Sequence, residues 1–208
     1  MTAADYFTRV QASPGWARIL DSFLRFVTPQ PGWRALDVGC GPGALARRLA
    51  EMNCDALGVD ADPDMIARAA DLSRAQPRVQ FRAGDALALP FSPPEAFDLV
   101  TATNLIFLLP DPLAGLKEMA RVGKPGSVVA MLNPSPKLSR ATAQAHADSL
   151  RLADFDAFSL TNWGAIAETH RRFTETDLRL MFAEVGLQSV EIVEKIGPGL
   201  ALFAKGIK

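Results

Sequence analysis

The sequence predicts an α/β protein: a mostly parallel sheet with helices on both faces, finished by an antiparallel hairpin. Three observations carry that reading. Between Ala35 and Pro134 short apolar runs alternate with stretches of helical periodicity, the signature of βαβ units. The first apolar run opens into the turn GCGPG, Gly39 to Gly43, which leads directly into a helical pattern. Near the C-terminus SVEIVEKI and GLALFAKG meet through Gly197-Pro198-Gly199, a connection too short for a parallel crossover.

The elements follow in order. An N-terminal helical segment, about residues 1–28, carries Trp16, Ile19, Leu20, Phe23 and Val27 at helical spacing. Pro29-Gln30-Pro31-Gly32 breaks it. ALDVG (35–39) is a buried strand, and the following helix sets Leu45 and Leu49 on one face. ALGVD (56–60) is the second strand. The helix over residues 63–75 has Pro63 in its first turn, where a missing N–H costs nothing. VQFRAGDA (79–86) is the third strand and FDLVTATN (97–104) the fourth. PLAGLKEMARV forms a helix stopped by GKPG, and SVVAMLNP (127–134) is the fifth strand. Residues 135–172 read as mixed and partly helical. A last helix begins at a capping box of Thr174 and Asp177, buries Leu178, Phe182 and Val185, and stops at Gly186.

The 208 residues suit one domain, with 134–173 as an insertion able to cover a site. A hydrophobic fraction of 49% against 22% charged residues fits a soluble protein with a substantial core. The net charge of −1 argues against an electrostatic nucleic-acid binder. Cys40 and Cys54 are too few for a disulfide framework or a zinc site, so no metal is expected. No run approaches the roughly 18 apolar residues of a membrane span, and no signal peptide is evident in MTAADYFTRV. A cytoplasmic location is the expectation.

Open α/β sheets bind ligands at the carboxyl ends of their strands. Three acids fall at such ends: Asp37 on the first strand, Asp60 on the second, Asp85 on the third. Gly39, Gly41 and Gly43 let the backbone turn tightly and approach a ligand, and the helix starting near Ala44 offers free N–H groups. Asp60 can accept from both hydroxyls of a ribose. Asp85 can accept from an exocyclic amine such as that of adenine. GCGPGA nominally satisfies the dinucleotide fingerprint G-x-G-x-x-A. A carboxylate at Asp37 sits badly beside a pyrophosphate, however, and Asp85 is no part of that fingerprint. Both acids suit a ligand with an ammonium and a sulfonium in place of phosphates.

On these segments the chain resembles a class I S-adenosylmethionine-dependent methyltransferase, of the UbiE-like, methyltransferase type 11 family. LDVGCGPG is similar to the family's glycine-rich first motif, GVDADPDMI to its ribose-binding segment and FRAGDALALPF to its adenine-binding segment. FDLVTATNLIFLL resembles the fourth-strand segment facing the methyl group. LKEMARVGKPGSVV resembles the helix and turn before the fifth strand, with Gly123 where a leucine is usual. The resemblance implies a three-layer Rossmann-like fold with a seven-stranded sheet. It implies that Gly39, Cys40 and Gly41 pass under the methionine moiety, with Asp37 supporting that loop and acting on the methionyl ammonium. It further implies that Asp60 binds the ribose and that Ala61 and Met65 flank the adenine. Asp85 and the Ala86 N–H would recognise the adenine edge, and Asn104 would reach the methionyl end through its backbone.

The activity so implied is methyl transfer to a small-molecule acceptor by in-line displacement. Such transfer needs a general base only when the acceptor must lose a proton, so the motifs fix neither acceptor nor catalytic residue. The segment TNLIF lacks the Asn/Asp-Pro-Pro-aromatic motif of relatives that methylate an amide or adenine amine. Phe155, Phe158, Trp163, His146, His170, Arg171 and Arg172 lie in the insertion. By residue type His170 is the base candidate, ahead of His146. Tyr6 is positioned either to close over the methionine end or to pack in the core. Cys40 at a helix start reads as a small loop residue, since a nucleophile there would need a base that the sequence does not name. Arg140, Arg151, Arg171 and Arg172 are offset by Asp148, Asp154, Asp156 and Glu168, against an RNA substrate. Two alternatives stay open: a module that binds S-adenosylmethionine without transferring the methyl, and an NAD-dependent oxidoreductase.

Overall fold

A computed structural model describes residues 1–91 and 96–208. Seven strands form one sheet in the order β3-β2-β1-β4-β5-β7-β6. They are β1 (Arg34–Val38), β2 (Asp55–Asp60), β3 (Val79–Ala83), β4 (Phe97–Thr103), β5 (Gly123–Pro134), β6 (Gln188–Lys195) and β7 (Ala201–Ile207). The first five run parallel, and β7 inserts antiparallel between β5 and β6. This is the Rossmann-like order with its closing hairpin.

The helices are α1 (Ala3–Ala12), α2 (Pro14–Val27), α3 (Ala44–Glu51), α4 (Pro63–Leu72), α5 (Pro112–Val122), α6 (Arg140–Ser149), α7 (Asp154–Thr169) and α8 (Glu175–Glu184). Alternate strand residues divide between two cores, as a period of two requires. Leu36, Val38, Val100, Ala102, Val129 and Met131 pack with Leu116 and Met119 of α5 and Phe182 of α8. Ala35, Leu99, Ala130, Leu132 and Phe203 pack with Leu20 and Phe23 of α2 and Leu45 and Leu49 of α3. A small third core, Leu138, Ala143, Ala167 and Leu200, seats α6 and α7 on the sheet edge.

Besides shifts of a residue at several strand ends, four larger differences from the sequence reading stand out. The N-terminal segment is two helices. Ser13 ends α1 and caps α2 by accepting from the Trp16 N–H at 3.2 Å, and Pro14 cannot continue a preceding helix. α4 ends at Leu72, where the Ser73 hydroxyl donates to the Ala69 carbonyl at 2.7 Å. β3 ends at Ala83, so Asp85 lies beyond it in a turn of its own. Its Oδ1 accepts from the Leu87 N–H at 2.8 Å and its carbonyl from Ala88 at 3.1 Å. β5 begins four residues early, because Gly123 pairs with Phe97 across an irregularity between Phe97 and Leu99.

Candidate active site

Gly39, Gly41 and Gly43 all take positive φ (68°, 52° and 84°). A Cβ on Gly43 would meet the Phe81 ring at 2.5 Å, and one on Gly39 the Leu105 side chain at 2.8 Å. The loop is therefore bent and closely packed. Its Gly39 and Cys40 N–H groups donate to the Val59 carbonyl at 2.7 and 3.0 Å, which ties it to β2. The Asp60 carboxylate is held by two backbone donors, Gly41 at 2.8 Å and Asp62 at 3.0 Å. Each oxygen accepts one hydrogen bond there and keeps capacity for another.

Gln11 of α1 grips the same loop. Its Nε2 donates to the Cys40 carbonyl at 3.2 Å, and its Oε1 accepts from the Ala44 N–H at 2.9 Å. The donor expected to be free at the start of α3 is thus capped by a side chain. Nothing local marks Gln11 in the sequence, since its partners lie 29 and 33 residues away.

Asp37 is 1% exposed and does not line the cavity described below. Burial pushes its carboxyl up to about 7. The hydrogen bond from the Thr101 hydroxyl at 3.2 Å opposes the rise, and the charge of Asp60 adds to it. Cys40 is also buried, and burial pushes its thiol far above the ordinary range, helped by the charges of Asp37 and Asp60. It is no thiolate.

At the carboxyl edge of the sheet lies a cavity of about 540 Å³. Of the site residues expected from sequence, Gly39, Gly41, Asp60, Met65 and Asn104 line it, whereas Asp37, Cys40, Ala61, Asp85 and Ala86 do not. Ala61 and Asp85 are exposed and Ala86 is buried. Asn104 holds a left-handed φ of 55° and donates its N–H to the Leu132 carbonyl at 2.9 Å. Its side-chain Oδ1 is buried without a hydrogen-bond partner among the described residues.

The insertion folds as α6 and α7. Trp163, Leu160 and Ile166 of α7 and His146 of α6 line the cavity. Asn162 donates to the Tyr6 hydroxyl at 2.9 Å, and Phe155 and Phe158 pack edge-on to the Tyr6 ring. Arg9 stacks over Phe155 at 3.9 Å from its centroid, so α1 and α7 close the cavity together. His170 is exposed at the end of α7, its Nδ1 within 2.9 Å of the Ile166 carbonyl and 3.0 Å of the Thr169 hydroxyl. It is absent from the cavity wall, where His146 stands instead. Arg172 donates to the Leu138 carbonyl at 2.8 Å and braces the start of α6.

Among the described residues no group of three or more His, Cys, Asp or Glu is placed to hold a metal ion. None of their helices is long and apolar enough to cross a membrane.

The strand order and the glycine turn after β1 define a Rossmann-like fold. Residues 36–131 match the methyltransferase domain family. The ubiquinone biosynthesis O-methyltransferase of Methylococcus capsulatus (strain Bath) is 37% identical over 108 residues, 51% of this chain and 46% of that protein. The chain spans about half the length of the curated relatives it matches. Magnesium protoporphyrin IX methyltransferase from Synechocystis PCC 6803, solved with bound S-adenosylhomocysteine, superposes with a TM-score of 0.71. It shares 15% identity over 98% of this chain and 93% of that one. The 4+2 cyclase SpnF is 25% identical over 85% of this chain and 60% of that one, with a TM-score of 0.62.

Proposed function

We propose that this protein transfers the methyl group of S-adenosylmethionine to a small-molecule acceptor. One observation carries the reading: the Asp60 carboxylate, fixed by the Gly41 and Asp62 N–H groups, stands beside the glycine turn on the wall of a largely apolar cavity. That pairing suits a ribose diol next to a ligand without phosphates. The capping of Ala44 by Gln11 fits as well, because a phosphate would need that donor. The match of residues 36–131 to the methyltransferase domain family supports S-adenosylmethionine over NAD.

In this reading Gly39, Cys40 and Gly41 pass beneath the methionine moiety, and Asp60 binds both ribose hydroxyls. Met65 and Ala61 flank the adenine, with Asp85 and the Ala86 N–H at its edge. Asn104 serves the methionyl end, and Asp37 acts on the ammonium from behind the loop. When bound, S-adenosylmethionine supplies a methyl on a sulfonium, and its departure leaves a neutral thioether that needs no acid. The chain's own work is then positioning and exclusion of water, which α1 and α7 perform over the cavity. Trp163, Leu160 and Ile166 present an apolar wall to the acceptor.

Calorimetric titration with S-adenosylmethionine, S-adenosylhomocysteine and NAD tests the cofactor. The expected result is saturable binding of the first two and none of NAD; binding of NAD alone overturns the reading. Formation of S-adenosylhomocysteine with a bound acceptor tests the transfer. A second reading, cofactor binding without methyl transfer, draws support from the likeness to a protein named as a cyclase. It predicts tight binding and no S-adenosylhomocysteine with any acceptor that occupies the cavity.

A further inference from the structure

The cavity runs across the carboxyl edge of the sheet, and its two ends carry opposite charge. The glycine loop follows β1 and Asn104 follows β4. At the other end, Pro134 of β5 pairs with Ala201 of β7. His146 lies against the turn between β6 and β7, where a Cβ on Gly197 would meet its ring at 2.6 Å. With strands about 4.8 Å apart, two steps separate the end of β4 from that of β7. The space from Asn104 to His146 is therefore roughly 10 Å long. Trp16, Ile19, Trp163 and Phe203 make its wall apolar.

Of the carboxylates on the wall, Asp60 and Asp62 stand beside the glycine loop. Asp156 belongs to the first turn of α7, the turn whose Phe155 packs on Tyr6 of α1. The basic side chains on the wall are Arg18 and Lys195, with His146 the one imidazole. Arg18 adjoins Ile19, which packs in one core with Ile196 and Phe203. Lys195 ends β6, one residue before Ile196. Among the described residues neither cation has an ion-pair or hydrogen-bond partner in the structure. Ile196 itself holds φ at 66°, a conformation that β-branched residues avoid and that clusters at functional sites.

We propose that Arg18, Lys195 and His146 form an anion subsite at the far end of the cavity, and that the acceptor is an elongated apolar molecule with a carboxylate remote from the methylated atom. The proposal rests on the methyl-transfer reading for the word acceptor, but the subsite itself can be tested without it. The carboxylate meets two unpaired cations, while the apolar body lies between Trp16 and Trp163. The atom to be methylated is then delivered near Asn104. A neutral ligand of the same shape would fill the wall and leave both cations unused.

Two probes of equal length separate the alternatives: a hydroxynaphthoic acid with its two groups at opposite ends, and its neutral methyl ester. Calorimetry on the intact chain should show the acid binding about tenfold tighter than the ester, as expected when two exposed cations each contribute modestly. The preference should fall with added salt. Arg18→Gln and Lys195→Gln should each lower it about threefold, and the double variant should abolish it. Equal binding of acid and ester, binding of neither, or a preference that survives the double variant would overturn the subsite. S-adenosylhomocysteine titrated into the same samples should bind unchanged, which shows the variants folded. Acid preference in a chain that binds no S-adenosylhomocysteine would sink the methyl-transfer reading and leave the subsite standing.

Discussion

Asp60 and Asp37 are carboxylates on neighbouring strands, yet their surroundings give them different work. Asp60 is half-buried, supported by two N–H donors, and faces the cavity. Asp60→Ala removes a charged hydrogen-bond partner and should weaken S-adenosylmethionine binding by about 1–3 kcal/mol, read by calorimetry. An unchanged affinity would remove the ribose assignment. Asp37 is held up to about 7 by burial. A carboxyl whose folded pKa is raised makes its full contribution below the ordinary carboxylate range. Stability is then lost as pH rises from that range through about 7, because ionisation is paid for by desolvation. An ammonium brought near Asp37 favours the charged form. Cofactor binding should therefore expel a proton near pH 6 to 7, and affinity should rise with pH through that window. Titrations in two buffers of different ionisation heat would measure the proton, and Asp37→Asn should abolish it. His170 is outside the cavity wall, so His170→Ala should leave cofactor binding intact.

The elements most legible in the sequence are those whose signals are local. Thr174 accepts from the Asp177 N–H at 3.1 Å and Asp177 from the Thr174 N–H at 2.8 Å, the capping box that starts α8. The β6–β7 hairpin was equally plain, since Gly197-Pro198-Gly199 leaves no room for a crossover. α1 shows the opposite. What holds it over the site is the Gln11 grip on the glycine loop, the Asp5–Arg68 ion pair at 2.8 Å and the Tyr6–Asn162 bond across 156 residues, none of which a local pattern encodes. The end of β3 is likewise not marked locally: the strand stops at Ala83, and the Asp85 carboxylate accepts from the Leu87 N–H. The two clearest element-level tests sit on the loop. Gln11→Ala removes a cap worth about 1 kcal/mol, and amide exchange should quicken in α1 with little change elsewhere. Gly43→Ala forces a Cβ onto the Phe81 ring at φ 84°. It should cost about 2–4 kcal/mol of stability by denaturant melt, and a loss under about 0.5 kcal/mol would mean that the loop relaxes freely.

At the scale of the whole molecule, two cores clamp the sheet from either side, and the functional edge is assembled from elements distant in sequence. α1 and α2 come from the N-terminus, the glycine loop and Asp60 from the first βαβ unit, α6 and α7 from the insertion, and the β6–β7 turn from the hairpin. One cavity touches all of them, so a ligand that fills its cofactor end stabilises contacts that bridge the chain's two ends. Trp163 packs against all three cores, which links the lid to the sheet. A ligand that binds only the folded state stabilises it by about 2.7 kcal/mol at a hundred times its Kd. For a chain of this size that corresponds to roughly 5–10 °C in Tm. S-adenosylhomocysteine should produce such a shift, and NAD should produce none. Amide exchange should slow in α1 and α7 together, because the Tyr6–Asn162 and Tyr6–Phe155 contacts make them one lid. Protection confined to the glycine loop and β2 would mean instead that the cofactor binds beneath a lid that responds only to the acceptor.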